Sequence, residues 1–233
     1  DAALAKDSKR TEIMNIMKYV LKTTSLALCA GLMAAPVIPA VFPINVAHAA
    51  SATDAQVQEP IKSLYAALDR IQAKSAGSFE QRAQVLAPAI DRAYDMQAVL
   101  ASSVGPRYAG LPDDQKQLLL STFRQFTIAR YVSSFKPGSD ARFTIDPGVT
   151  ASPVDGERIV ITRIGSSDDP NGTEINYVMR SGAKGWQIVD VLLNAHISQV
   201  AAQRADFSSA LAGGNVQKLT DLLKKKIQRF SEE

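Results

Sequence analysis

The chain is poor in the residues that carry covalent and metal chemistry. Its 233 residues include one cysteine, Cys29, and two histidines, His48 and His196. Cys29 and His48 lie in an N-terminal stretch that we expect to be removed. The remaining chain would then have no disulfide, no thiolate and a single histidine, which is too few parts for a zinc site or a catalytic triad.

The N-terminal stretch has the pattern of a secretory signal peptide. Lys22 precedes an uncharged run over residues 23–47, which ends at the small-residue site Ala47-His48-Ala49. The alternative is a membrane anchor, but three prolines interrupt the run and disfavour a spanning helix. We expect residues 1–49 to be a signal peptide cleaved after Ala49. Residues 1–13 are either an unusually long basic region or extra residues.

The chain after Ala49 also has no large excess of positive or negative charge. Residues 50–233 hold 21 Lys and Arg against 20 Asp and Glu, so this part of the chain is close to neutral. Such a balance gives no indication of nucleic-acid binding. The length fits a single domain with a sizeable core, and we expect a monomer.

The first half of this domain has helical periodicity. Ile61, Leu64 and Tyr65 begin an apolar stripe at spacings of three and four, with Pro60 in the first turn. Ser78 to about Leu100 contains Pro88 and predicts two short helices that meet at the proline. Pro112 opens a long helix to about Ser134, in which Asp113 and Asp114 suit the positive helix end.

From Phe143 the period changes to two, which is typical of strands. Turn sequences separate four runs, and these predict an antiparallel meander with helices covering its apolar face. Two helices close the chain, with Gly213-Gly214 between them. The fold class is therefore α+β, with a four-stranded or slightly larger antiparallel sheet. The runs are Phe143–Ile145, Arg158–Ile164, Thr173–Arg180 and Lys184–Leu193.

The sequence gives little support for catalysis. No serine lies in a glycine-flanked nucleophile elbow, and no phosphate-binding glycine loop occurs. The acidic pairs Asp113-Asp114 and Asp168-Asp169 fit a helix start and a turn better than a metal site. Lys224-Lys225-Lys226 is either a solvated helix end or a contact with an anionic membrane or acidic partner. We expect no enzyme activity, no metal and no cofactor.

Asp190 is unusual because it is a carboxylate within the apolar strand ending at Leu193. Alternation places it on one face with Trp186 and Ile188. A buried carboxylate needs a partner, and Arg204 on the following helix is the candidate. The alternative is a role at the mouth of a ligand cavity.

Four segments together resemble the MlaC/toluene-tolerance family of periplasmic phospholipid-binding proteins, and more closely its hopanoid-associated HpnM branch. One segment is Tyr177-Val178-Met179-Arg180 followed by Gly185-Trp186-Gln187-Ile188-Val189-Asp190-Val191. One departure is Asn194-Ala195-His196, where the family commonly has a glycine. The other three segments are Pro88–Met96, Phe123–Tyr131 and Ile197–Phe207.

The resemblance implies an apolar cavity for lipid tails, enclosed by helices over the sheet. It also implies a periplasmic shuttle that carries phospholipid or hopanoid between the inner and outer membranes. Its partners would be an inner-membrane lipid transporter and an outer-membrane lipoprotein complex. The alternative is a docking module of the envelope with a filled core and no transport. We predict that the cavity is lined by Tyr94, Leu100, Phe123, Phe126, Thr127, Tyr131, Ile175, Tyr177, Trp186, Ile188 and Asp190, with Arg130 near the same helix edge.

Overall fold

The computed structural model describes residues 52–212 and 216–232, so the predicted signal peptide and Gly213-Gly214 lie outside the described residues. Ala50–Glu233 form one compact unit. Within the described ranges the chain forms six α-helices and one five-stranded sheet. The helices are α1 (Ala52–Gln72), α2 (Phe79–Ala93), α3 (Met96–Val104), α4 (Asp113–Ser134), α5 (Gln199–Leu211) and α6 (Val216–Glu232), with a 3₁₀ turn at Pro106–Tyr108.

The sheet is an open antiparallel meander in which each strand pairs with the next along the chain. The predicted α+β class is confirmed, and the two-residue strand β5 extends the expected four strands. The strands are β1 (Arg142–Ala151), β2 (Glu157–Gly165), β3 (Thr173–Gly182), β4 (Gly185–Leu193) and β5 (Ile197–Ser198).

Helix α1 packs its apolar stripe against the sheet. Ile61 and Leu64 are fully buried, and the ring of Tyr65 stacks on Phe143 of β1 at 4.5 Å between centroids. Pro60 lies inside α1 and not in its first turn as predicted, because the helix starts earlier, at Ala52. Most residues of α1 before Pro60 are alanine, glutamine or acidic, and a helix accommodates them well.

The predicted break at Pro88 is wrong, since α2 continues through the proline to Ala93. The chain turns instead at Tyr94, whose backbone is extended and forms a parallel bridge with Ile188 of β4. Asp95 then caps α3 by accepting a 2.9 Å hydrogen bond from the Ala98 amide. This new cap and the bridge to the sheet offer more hydrogen bonds at residues 94 and 95 than a kink at Pro88 would.

Strand β4 contains a bulge that reverses the predicted orientation of Asp190. Asp190 pairs with Val178 and Ile188 pairs with Met179, so Val189 is the extra residue on β4. One inserted residue changes the phase of the alternation. Asp190 is therefore out of phase with Ile188 and Trp186, and the prediction that the three share a face is wrong.

The turn between β4 and β5 adopts left-handed backbone angles without glycine. Asn194 has φ 49° and Ala195 has φ 68°. Asparagine accepts this region readily, whereas alanine is strained there. The turn thus keeps the shape for which glycine is suited, and it directs the chain from β4 into α5.

Candidate functional site

A narrow crevice lies where β4 meets three helices. Its walls come from the α2–α3 junction, α3, α4, β4 and the first turns of α5, and its volume is about 10 Å³. Such a volume holds about one water molecule. The lining residues are Tyr94, Met96, Val99, Phe123, Thr127, Arg130, Asp190, Val191, Gln199, Val200 and Gln203.

The α2–α3 junction is fastened to the sheet and to α4 beside this crevice. Gln187 of β4 donates from Nε2 to the Tyr94 carbonyl at 2.9 Å, and the Asp95 amide donates to the Ile188 carbonyl at 3.0 Å. The hydroxyls of Tyr94 and Tyr131 share a hydrogen bond of 2.5 Å. One wall of the crevice is thereby held by both backbone and side-chain hydrogen bonds.

Asp190 forms the corner between β4 and α5. Its carboxylate accepts hydrogen bonds from the Ser198 hydroxyl at 2.5 Å, the Val200 amide at 3.1 Å and its neighbour Val191 at 2.7 Å. Ser198 in turn caps α5 by accepting from the Ala201 amide at 3.0 Å. A carboxylate at a helix N-terminus satisfies amides that have no partner within the helix.

The predicted pairing of Asp190 with Arg204 is wrong. Arg204 donates from Nε and Nη2 to the Ser102 carbonyl of α3, at 2.9 and 2.6 Å. The amides at the start of α5 lie closer to Asp190 in the chain and meet its need for donors. Arg204 instead ties α5 to the end of α3.

A buried polar contact also joins α3 and α5 behind the crevice. The Ser103 hydroxyl lies 2.9 Å from Gln203 Oε1 and 2.8 Å from the Val99 carbonyl. Both side chains are buried, and Val99 and Gln203 line the crevice. The two helices that flank the opening are therefore connected by a few polar contacts and not by a continuous hydrogen-bonded ladder.

Arg130 is the cation on the crevice wall. Its guanidinium carbon lies 5.9 Å from the Phe126 ring centroid and 5.8 Å from that of Tyr131. With the Gln199 amide turned so that its oxygen faces α4, Gln199 accepts from both terminal nitrogens of Arg130. Stacking and hydrogen bonding together hold the guanidinium in one orientation.

Buried tyrosines surround the core side of the site. Burial raises the pKa of Tyr94 well above its ordinary value, and the nearby Tyr131 raises it further. Burial likewise raises the pKa of Tyr177, and of Tyr65, whose hydroxyl lies 2.6 Å from that of Thr162. These phenols stay neutral at physiological pH and act as hydrogen-bonding groups.

The crevice brings together four of the predicted site residues: Tyr94, Phe123, Thr127 and Asp190. The others lie around it. Tyr131 contacts the crevice-lining Tyr94 through a hydrogen bond between their hydroxyls, and Phe126 packs against Phe230 of α6. Leu100, Ile175, Tyr177 and Ile188 are buried in the core, and Trp186 is half-buried near the β3–β4 turn.

Sequence reasoning missed the contribution of α5, which supplies Gln199, Val200 and Gln203 to the crevice. The sequence did contain a signal, because Ser198 is a helix-capping residue type followed by Gln199 and Gln203. The two glutamines are four residues apart and therefore lie on one helix face.

The described residues offer no arrangement for a triad or a metal. His196 is exposed in the turn, and the Ser198 hydroxyl bonds directly to Asp190 with no histidine between them. In residues 52–212 and 216–232, no three His, Cys, Asp or Glu side chains are grouped to hold a metal ion. No helix within those ranges has the length and apolar character to cross a membrane.

Comparison with protein families gives one decisive match. Residues 58–225 match the model of the MlaC protein family, and this range includes every wall of the crevice. The chain belongs to the MlaC family. The resemblance inferred from the four sequence segments is thus confirmed at the level of the family.

The same fold occurs in a solved structure of another protein. The phospholipid-binding protein from Ralstonia solanacearum, in complex with a phospholipid, matches with a TM-score of 0.63 and 15% identity. The match covers 75% of this MlaC-family chain and 98% of the Ralstonia chain, and it shows that the two share a fold. Among curated proteins, no sequence matches this chain significantly.

Proposed function

We propose that this MlaC-family protein is a periplasmic lipid-binding protein that carries phospholipid or hopanoid between the inner and outer membranes. The observation that carries the proposal is the family match over residues 58–225, which includes all residues of the crevice. The fold shared with a phospholipid-bound protein supports it. The predicted signal peptide over residues 1–49 supports export to the periplasm.

The physical basis of such a carrier is the cost of exposing lipid tails to water. Each exposed CH₂ costs about 0.8 kcal/mol, so a free lipid crosses an aqueous compartment slowly. A protein that encloses the tails removes this barrier through non-directional apolar contacts. No catalytic group is needed for holding or release, which agrees with a binding protein and not an enzyme.

Binding requires the crevice to widen, because about 10 Å³ is far too small for an acyl chain. The helices α3 and α5 form the movable side in this proposal. Their mutual contacts include the Ser103–Gln203 and Arg204–Ser102 hydrogen bonds, which are local and separable. Lining residues such as Val99, Val191 and Val200 would then face the tails. The protein would act as a monomer and exchange lipid with an inner-membrane transporter and an outer-membrane lipoprotein complex.

The second candidate is a non-transporting envelope module with a filled core. The small volume of the crevice and the full burial of Leu100, Phe123 and Tyr177 favour it. Such a module would act through its surface and would have no lipid occupant.

Transfer between vesicles separates the two. Donor vesicles with a fluorescent phospholipid and a non-exchangeable marker are mixed with unlabelled acceptors, with and without the purified protein. The carrier proposal predicts transfer that increases with protein concentration, and a second assay with labelled hopanoid identifies the preferred cargo. Transfer at the protein-free rate for both lipids would favour the docking module.

A further inference from the structure

The positive charge of the domain is concentrated on its last helix. Within residues 50–233, α6 (Val216–Glu232) holds 5 Lys and Arg against 2 Asp and Glu, whereas the other residues hold 16 against 18. The net charge is therefore +3 on α6 and −2 on everything else. Such an asymmetry in a nearly neutral domain gives the surface around α6 a positive potential.

The exposed cations of α6 form a stripe along the helix. Lys218, Lys225 and Arg229 are exposed and lie seven and four residues apart. An α-helix has 3.6 residues per turn, so these three side chains leave the axis within an arc of about 40°. Lys224 is exposed beside them. We call these four residues the basic face of α6.

The structure separates the three consecutive lysines of this helix. The Lys226 ammonium nitrogen lies 5.9 Å from the ring centroid of Phe126 on α4, and Lys226 is half-buried. Lys226 therefore packs against the protein. Lys224 and Lys225 point away from the core and belong to the surface.

The lysines of the basic face are not neutralised by carboxylates of the fold. Within residues 52–212 and 216–232, Lys218, Lys224 and Lys225 form no ion pair. The two carboxylates of α6 are hydrogen-bonded to glutamines. Gln217 donates to Asp221 at 2.8 Å, and Gln228 donates to Glu232 at 3.0 Å.

Stabilisation of the helix does not explain Lys218. It is the third residue of α6, and the first turn of this helix contains no acidic residue. The start of a helix carries partial positive charge, so a cation there opposes the helix dipole. The position of Lys218 is unfavourable for α6 itself but extends the basic face toward the start of the helix.

The chemistry of this face fits a charged bilayer better than a protein partner. Among the described residues, the large hydrophobic side chains that are exposed are Val85, Leu118 and Val154, and none of them belongs to α6. The buried centre of a protein–protein interface is apolar and depleted in lysine. Anionic lipids, in contrast, attract clusters of Lys and Arg without any apolar anchor.

We propose that the basic face of α6 binds the surface of an anionic lipid bilayer. This contact goes beyond the proposed carriage of lipid, because it does not depend on which lipid the crevice holds. Its attraction is electrostatic and is screened over about 10 Å at 0.1 M salt. The contact is therefore reversible, as a protein that moves between two membranes requires.

The test is association with vesicles of two compositions. Purified protein is mixed with vesicles of phosphatidylcholine alone, or of phosphatidylcholine and phosphatidylglycerol in equal parts, and the bound fraction is measured by flotation. We expect association with the anionic vesicles only. It should decrease several-fold between about 0.05 M and about 0.5 M NaCl, because salt screens exposed charges.

Two pairs of substitutions compare the basic face with the rest of the surface. Lys218→Gln with Lys225→Gln should weaken association by about 25-fold, since each lysine near an anionic surface contributes about fivefold. Lys62→Gln with Lys184→Gln removes the same charge at exposed positions on α1 and in the β3–β4 turn, and it should have little effect. Lys218→Arg with Lys225→Arg should retain binding. Melting curves establish that the variants fold.

Three results would overturn the membrane contact. Equal association of wild type with both vesicle types would show that charge does not drive it. Equal weakening by the two glutamine pairs would show that net charge acts and not the basic face. No association even at low salt would exclude the bilayer as the partner and leave an acidic protein as the occupant of this face.

Lipid transfer, measured separately with the same proteins, distinguishes this contact from the proposed function. Association with anionic vesicles without transfer of lipid would contradict the carrier and leave the basic face intact. Transfer of lipid without any association through Lys218 and Lys225 would overturn the basic face and leave the carrier intact.

Discussion

The hydroxyls of Tyr94 and Tyr131 lie 2.5 Å apart and join the α2–α3 junction to α4. Tyr94 is buried and lines the crevice, while Tyr131 packs beside Arg130. The pair therefore links the wall of the crevice to the helix that carries its cation.

We predict that Tyr131→Phe destabilises the protein by about 1–3 kcal/mol, because it leaves the buried Tyr94 hydroxyl without this partner. Tyr94→Phe together with Tyr131→Phe should cost less than the sum of the single changes. Denaturant unfolding of the four proteins measures this. Strictly additive effects would show that the hydroxyl contact contributes nothing of its own.

Asp190 should be coupled to Ser198 and independent of Arg204. Asp190→Ala removes the acceptor for the Ser198 hydroxyl and the Val200 amide, and we expect a loss of about 1–2 kcal/mol. The cycle with Ser198→Ala should give a coupling well above 0.5 kcal/mol, whereas the cycle with Arg204→Ala should be additive within about 0.3–0.5 kcal/mol. Coupling of Asp190 to Arg204, with additive effects for Asp190 and Ser198, would instead support the ion pair that the sequence suggested.

The strained turn offers a stabilising substitution. Ala195→Gly relieves the strain of alanine in left-handed backbone angles, which costs about 1–2 kcal/mol. The greater conformational entropy of glycine in the unfolded chain offsets this by about 0.4–1 kcal/mol. We expect a net gain of up to about 1 kcal/mol in the free energy of unfolding. Ala205→Gly, at an exposed position within α5, is the control and should destabilise by about 1 kcal/mol. Equal destabilisation by both would mean that Ala195 is not strained.

Stability should fall at alkaline pH. Because burial raises the pKa of Tyr65, Tyr94 and Tyr177, the folded state holds their protons where the unfolded state has released them. Their contribution is present below about pH 10 and decreases above it, by up to about 1.4 kcal/mol per pH unit for each tyrosine. Phenolate absorbance and circular dichroism, followed together, should change in one transition. Ionisation of Tyr65, Tyr94 and Tyr177 before unfolding would contradict the burial of these three side chains.

Periodicity was sufficient to predict the existence of α1 and β1. The stripe from Ile61 and the alternation from Phe143 depend on local spacing, and both elements formed as predicted. The bulge at Val189 could not be predicted in this way, since Ile188 and Val189 are both apolar and the extra residue is defined only by pairing with β3.

The site was harder to predict because the groups that donate hydrogen bonds to Asp190 are largely backbone amides. Charge complementarity suggested Arg204 for Asp190, whereas the amide of Val200 and the hydroxyl of Ser198 satisfy the carboxylate. A sequence shows side-chain charges but not where helix amides without partners will lie. Likewise, burial of Leu100 and Tyr177 was predictable from hydrophobicity, but hydrophobicity does not show which buried residues border a gap.

If lipid tails enter the crevice at the start of α5, as we propose, a variant in which this opening is blocked should hold less lipid. Val200 lines the crevice but is only half-buried, so Val200→Trp can fill the opening without overpacking the core. Val85→Trp on α2, at a site 44% exposed, is the matched control. Each protein is isolated from cells, extracted with organic solvent and analysed by mass spectrometry for lipid per protein. We expect near-stoichiometric phospholipid in wild type and Val85→Trp and several-fold less in Val200→Trp, with unchanged melting temperatures. Equal lipid content in all three proteins would show that the tails do not enter at this opening.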